Sequence, residues 1–314
     1  MTLRGTGKAT LKATIYKNPT AGGQATILSV PGFTASGKSL EKLAAATFAN
    51  TATGPTVKQV IAVDLPGHGA STKPTGVKYG DLTVEDYADA VTQTIQALAA
   101  QGNGPQLVFG YGSSGLAIAV AQDKLLKSGS SLSKLGVRSA LLYAPVPSAG
   151  QAWTAPATPA TITTFVTSSD ADGSVFKVTD DLWNRQGFTN KAGTGGVGAP
   201  TAAEVTAGGF NAAEPLAVVS QLTGINGPAG APVARPAVAA GIFGAANGTQ
   251  LIVVGFSEGI QVTSADAKAF YAYLSGDAAG AKFTEVVDPL AVSSAFYTIP
   301  EKVVAATTKF FAAP

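Results

Sequence analysis

The stretch Leu107-Val108-Phe109-Gly110-Tyr111-Gly112-Ser113-Ser114-Gly115-Leu116 constrains this chain more than any other. An apolar run enters a glycine-dense turn, and an apolar pattern at helical spacing (Leu116, Ile118, Val120, Ala121, Leu125) leaves it. That pattern reads as a buried strand, a sharp turn that only small residues permit, and a helix.

Further apolar runs alternate with helical patterns along the chain. Strands are expected at Thr10 to Tyr16, Ala25 to Val30, Gln59 to Val63, Val137 to Val146, Leu251 to Val254 and Phe283 to Val287. Helices are expected from about Ser39, from Thr83 to about Ala100, over Ser264 to Leu274, and over Pro300 to Phe311. Thr83 suits an N-cap, and Glu85 and Asp86 place negative charge in the first turn. The alternation predicts an α/β fold: a mostly parallel, doubly wound sheet with helices on both faces.

Between Pro147 and Phe243 the strand runs stop and Ala, Pro, Thr and Gly dominate. Apolar anchors persist there at Trp153, Phe165, Phe176, Trp183, Phe188, Phe210, Leu216, Val219 and Leu222. Aromatic residues at that density pack rather than stay disordered. The expected organisation is a core of 1–147 and 246–314 with an insertion at 148–245.

Composition closes off several functions. Charged residues are 13% of the chain, and 21 basic and 19 acidic side chains give a net charge of +2 without runs of one sign. No footprint for nucleic acid or an anionic membrane results. Cysteine is absent, which excludes disulfides, thiol catalysis and cysteine metal sites, and with one histidine and no carboxylate cluster neither a metal site nor a cofactor is expected. No run approaches the roughly 18 apolar residues of a membrane span. Met1 to Thr14 carries Arg4, Lys8 and Lys12 without a continuous apolar stretch, so no leader is read there. The Ala/Gly/Ser/Thr-rich composition would suit a secreted or periplasmic protein whose leader had been removed; the compartment and the oligomeric state stay open.

Asp64-Leu65-Pro66-Gly67-His68-Gly69-Ala70-Ser71, after the run ending at Val63, is the most specific stretch. It closely resembles the loop that follows the fourth strand of α/β hydrolases. Pro31-Gly32-Phe33, the Gly110 to Gly115 turn and Ile299-Pro300-Glu301-Lys302-Val303 resemble that family in the same order. The resemblance implies an α/β-hydrolase core, a cap inserted after the sixth strand, and a serine, histidine and acid acting together at the nucleophile elbow. At the matching positions this chain has other residues. Gly112 stands at the nucleophile position, Gly259 at the acid position and Ser293 at the histidine position, seven residues before Pro300. The implied triad is degenerate.

Substitutes for the missing groups are few. Shifting the register by one makes Ser113 the nucleophile but puts Tyr111 where a small residue belongs; Ser113 and Ser114 read first as residues of a helix N-terminus. Glu258 is the neighbouring carboxylate for the acid role, but it reads first as a solvated loop acid, and Asp288 has the same ambiguity. His68, the single histidine, belongs to a different loop and reads as loop-stabilising. An oxyanion hole needs only backbone N–H groups, which Ser113 and Phe33 would supply. With Phe33, Tyr111 and Phe296 as walls, the inherited cleft suits a small ligand with an apolar body and a carbonyl or carboxylate.

The expected function is therefore small-molecule binding, or a non-standard reaction, on an α/β-hydrolase scaffold. The alternative is a serine-type hydrolase of the esterase or lipase class using Ser113 or Ser114. Two weaker readings are a protein-interaction role and nucleotide binding. The latter rests on Gly32-Phe33-Thr34-Ala35-Ser36-Gly37-Lys38-Ser39, which fits Gly-x-x-x-x-Gly-Lys-Ser/Thr between a strand and a helix, with Asp64 available for magnesium.

Overall fold

Seven apolar runs pair into one sheet in a computed structural model that describes residues 2–3, 7–20, 22–153, 171–175, 203, 207–210, 213–259, 262–292 and 294–310. The strands are β1 (Ala13–Lys17), β2 (Ala25–Val30), β3 (Val57–Val63), β4 (Leu107–Tyr111), β5 (Ser139–Tyr143), β6 (Gln250–Phe256) and β7 (Phe283–Val286). Their spatial order is β7-β6-β5-β4-β2-β3-β1. β1 runs antiparallel to β3, and every other pairing is parallel. The helices between them are α1 (Glu41–Ala49), α2 (Val84–Ala100), α3 (Ser113–Lys127), α4 (Leu216–Thr223), α5 (Ser264–Ser275) and α6 (Pro300–Thr308).

Alternation along β4 assigns the helices to faces. Gly110 meets α3, since a Cβ there would lie 2.6 Å from Ile118 Cδ1. Phe109 points the other way, to a face shared with Val304 of α6 and Thr47 of α1. Both faces of the central strands are thus covered, which is why Leu28, Val108, Ala140 and Ile252 are buried. The order reverses between β2 and β4, so the loops leaving these two strands sit side by side at their carboxyl ends. In open α/β sheets that switch point is where ligands bind.

Two expected strands are shorter than their apolar runs. The Thr10 N–H bonds to Thr72 Oγ1 at 2.8 Å and the Lys12 N–H to Ser71 Oγ at 2.9 Å, so residues 10–12 bind the Asp64 to Ser71 loop instead of extending β1. β5 stops at Tyr143 because Ala144 turns to φ 38° and Pro145 and Pro147 lack a donor. α6 ends at Thr308, and Phe311 lies outside the described residues.

Much of 148–245 is also outside the described residues, including Phe165, Phe176, Trp183 and Phe188. Its described parts dock on the core through backbone. Glu214–Pro215 pairs antiparallel with Ser174–Val175 within this stretch, and it meets the core where the Gly80 N–H bonds to Asp172 O at 2.8 Å and Tyr79 Oη donates to Ala213 O at 3.1 Å.

The start of α2 is a capping box: Asp86 Oδ2 accepts from the Thr83 N–H at 2.8 Å and lies 3.1 Å from Thr83 Oγ1. Thr83→Ala is expected to cost about 1 kcal/mol, read as a lower urea midpoint at unchanged slope. An unchanged midpoint would mean that the box does not hold this helix end.

Candidate functional site

β4 must leave the sheet and α3 must pack back against it within one residue, and that residue is Gly112. It sits at φ 55°, ψ −120°, a region nearly closed to residues with a Cβ. Its N–H bonds to Tyr143 O at 3.0 Å, and its carbonyl accepts from the Val146 N–H at 3.1 Å. The turn is therefore held from β5. Gly112 is half-buried, and a Cβ built on it meets no described residue within 4 Å. A side chain would have space here.

The hydroxyls beside the turn are turned inward. Ser114 is fully buried and its Oγ donates to the Pro31 carbonyl, tying α3 to the loop after β2. Ser113 is 1% exposed, and its Oγ has no hydrogen-bond partner. Ser148 Oγ, just beyond the segment that holds Gly112, is likewise buried without a partner.

The loop after β2 approaches the elbow closely. A Cβ on Gly32 would lie 2.6 Å from the Tyr111 carbonyl oxygen, so only glycine fits. Phe33 packs with Val219 and Leu216 of the inserted segment. Thr34 follows at φ 56°, and its N–H donates to Glu214 Oε1 at 2.5 Å.

Glu214 is the residue that reading the sequence missed. Its carboxylate is fully buried and gathers three donors: the Thr34 N–H, Tyr87 Oη on Oε2 at 2.8 Å, and His68 Nε2 on Oε1 at 2.9 Å. His68 Nδ1 lies 3.1 Å from the Pro66 carbonyl, so the ring donates at both nitrogens, and its plane meets Tyr87 edge-on. Burial pushes the His68 pKa down and is the largest single influence. The Glu214 charge and hydrogen bond, with the Pro66 carbonyl and the Asp64 charge, outweigh it and leave the pKa raised. Burial, reinforced by Glu214, holds the Tyr87 phenol far above its usual range. His68 does stabilise its loop, and it also fastens the inserted segment to the core.

The phosphate-loop reading of Gly32 to Ser39 is corrected by these bonds. The Thr34 N–H goes to Glu214, Ala35 to Gly32 O, Ser36 to Gly209 O, Gly37 to Asp64 Oδ1 and Ser39 to Ser36 O. Asp64 also accepts from the Ala70 N–H at 2.9 Å, so it is consumed in joining two loops. A phosphate would have to displace a buried carboxylate and break this network, and Lys38 points to solvent.

The other two positions that the resemblance matches to the triad are Gly259 and Ser293. A Cβ on Gly259 would lie 2.6 Å from the Val262 carbonyl oxygen, so that position is closed to a side chain. Glu258 is half-buried, with its N–H on Ala291 O at 3.0 Å. Ser293 lies outside the described residues. Asp288 bonds to Lys302 and accepts from the Leu290 N–H at 2.9 Å, and these contacts, Lys302 first, hold its carboxyl below the usual range. The expected aromatic walls pack on each other: Tyr111 and Phe296 stack with centroids 4.1 Å apart, and Phe210 joins them at 6.1 Å from Phe296. Among the described residues no helix is long and apolar enough to cross a membrane.

Glu214→Ala would remove the buried acceptor shared by Thr34, His68 and Tyr87 and is expected to cost roughly 3–5 kcal/mol. His68 is the chain's single histidine and binds its proton more tightly folded than unfolded. The stability it contributes is present below the unfolded pKa of about 6.5 and is lost as pH rises through the raised folded value. Urea unfolding followed from pH 6 upward should show this decline in the native protein and not in His68→Gln; the same slope in both would contradict the assignment.

No family model matches the sequence, and no curated protein matches it. Among solved structures, the N-acyl homoserine lactonase AidH in complex with N-butanoyl homoserine is 17% identical, covering 97% of this chain and 93% of that one at TM-score 0.58. A thermophilic esterase from Thermogutta terrifontis is 15% identical over 98% of this chain and 94% of its own, at TM-score 0.56. A pyrethroid hydrolase from Sphingobium faniae JZ-2 is 16% identical over 94% and 99%, at TM-score 0.54. With a strand order that reverses beside an elbow at Gly112, and with these likenesses over nearly the whole length, the chain has the α/β-hydrolase fold.

Proposed function

We propose that the protein binds a small ligand with an apolar body and a carbonyl or carboxylate at the Gly112 turn, beneath a cap formed by 148–245, and does not run a serine-hydrolase reaction. The observation that carries this reading is Gly112 itself. It has the strained backbone of an elbow, is half-exposed, and has open space where a nucleophile's side chain would stand. Among the described residues nothing fills the volume that a hydroxymethyl group would occupy there.

Two kinds of donor suit a carbonyl oxygen there. The N–H groups in the first turn of α3 lack intrahelical acceptors and carry the positive end of the helix dipole. The buried hydroxyls Ser113 Oγ and Ser148 Oγ lack partners, and buried polar groups in native proteins rarely do. The lactonase neighbour holds N-butanoyl homoserine, so a short acyl compound is the first ligand to try. Ser113 Oγ also supports a second reading, in which it attacks the ligand. Against this, the chain's only histidine is fully buried against Glu214 and is not placed to serve as the base for Ser113.

Ethyl butyrate should bind one-to-one by calorimetry without being hydrolysed. Gly112→Leu should weaken it at least tenfold, because the new side chain projects into the open space. A fluorophosphonate probe should leave the native protein unlabelled by intact mass. Stoichiometric labelling that is lost in Ser113→Ala would establish the hydrolase reading instead.

A further inference from the structure

A second cavity, of about 430 Å³, lies at the opposite end of the sheet, near the amino ends of β2, β4, β5 and β6. It is a partly open pocket between the sheet face carrying Ile27, Leu107, Phe109 and Leu141 and the helices α1 and α6. Its size falls in the range of small-molecule sites, roughly 300–1,000 Å³. Small side chains, Ala25, Thr47, Thr53 and Ser139, are among those that line it.

Charge and hydrogen bonding in this cavity are one-sided. Arg138 lines it, is exposed, and has no ion-pair partner among the described residues, while no aspartate or glutamate lines it. Gln250 also lines it, and its Nε2 is buried with no hydrogen-bond acceptor. The two belong to neighbouring strands, joined where the Gln250 N–H bonds to the Arg138 carbonyl at 2.8 Å. A guanidinium and an unsatisfied amide N–H beside an apolar interior call for an acceptor-only head group on an apolar tail. From Arg138 and Gln250 the apolar lining continues through Leu141 to Leu107, Phe109 and Ile27 on the neighbouring strands, which gives an apolar tail a path across the sheet.

We propose that this cavity is a second ligand site that takes a single-chain aliphatic carboxylate, with the carboxylate on Arg138 and Gln250 and the chain along Leu107, Phe109 and Leu141. The site is independent of the Gly112 turn, which lies at the carboxyl ends of the strands.

The test is titration of the full chain with decanoate and with decanol, its neutral counterpart. Decanoate should bind one-to-one and more tightly than decanol. Arg138→Ala should weaken decanoate tenfold or more and leave decanol unchanged, and Arg138→Glu should weaken decanoate further. Arg138 is exposed, so these variants should keep the native circular dichroism. Leu141→Phe, which fills the cavity from the sheet, should weaken both ligands. Absence of decanoate binding, or equal affinity in Arg138→Glu, would overturn the proposal. So would competition between decanoate and ethyl butyrate, which would place decanoate at the elbow.

Discussion

One backbone constraint organises the carboxyl end of the sheet: between Tyr111 and Ser113 the chain must turn from strand to helix at φ 55° and ψ −120°. Glycine adopts that conformation without the strain of about 1–3 kcal/mol that other residues bear there. Proteins that keep a side chain in such a turn bear the strain for what the side chain does. Here the geometry persists without the side chain, braced by Tyr143 O and the Val146 N–H from β5. Gly32 is bound to the same turn, because any Cβ there would collide with the Tyr111 backbone. What this end of the sheet retains is a shape and a set of donors.

Glu214 ties the described residues around it to the core. A buried carboxylate is costly to desolvate and is tolerated only with excellent hydrogen bonding. Three donors from three parts of the core converge on it: the loop after β2, the loop after β3 and helix α2. Moving residues 213–216 away would expose the carboxylate and take a buried acceptor from Thr34, His68 and Tyr87. The interaction therefore fixes the segment's position more than it adds net stability, since a buried ion pair and a well-packed apolar contact are often nearly equal in energy.

The core could be read from the sequence because its elements are set by local patterns. The runs of β2 and β6, the Thr83 cap and the glycine turn each act over a few residues, and all appear where their patterns place them. Their ends were less legible where tertiary partners intervene, as when residues 10–12 bond to Ser71 and Thr72 instead of the sheet. Glu214 was missed because its partners are 127 to 180 residues away in sequence. One signal did exist: Glu214 is the only charged residue between 205 and 234, and a lone carboxylate in an apolar stretch needs a buried partner. The Gly32 to Ser39 motif misled for the opposite reason. Its spacing is local, and its N–H groups are claimed by Glu214, Gly209 and Asp64 from elsewhere in the chain.

The central claim is that the Gly112 turn is a binding geometry from which the nucleophile is missing. Its most direct test is a crystal structure of the protein soaked with ethyl butyrate. The account predicts the intact ester beside Gly112, with its carbonyl oxygen toward the first turn of α3. An acyl group bonded to Ser113 Oγ, or protein side chains filling the space beside Gly112, would contradict it.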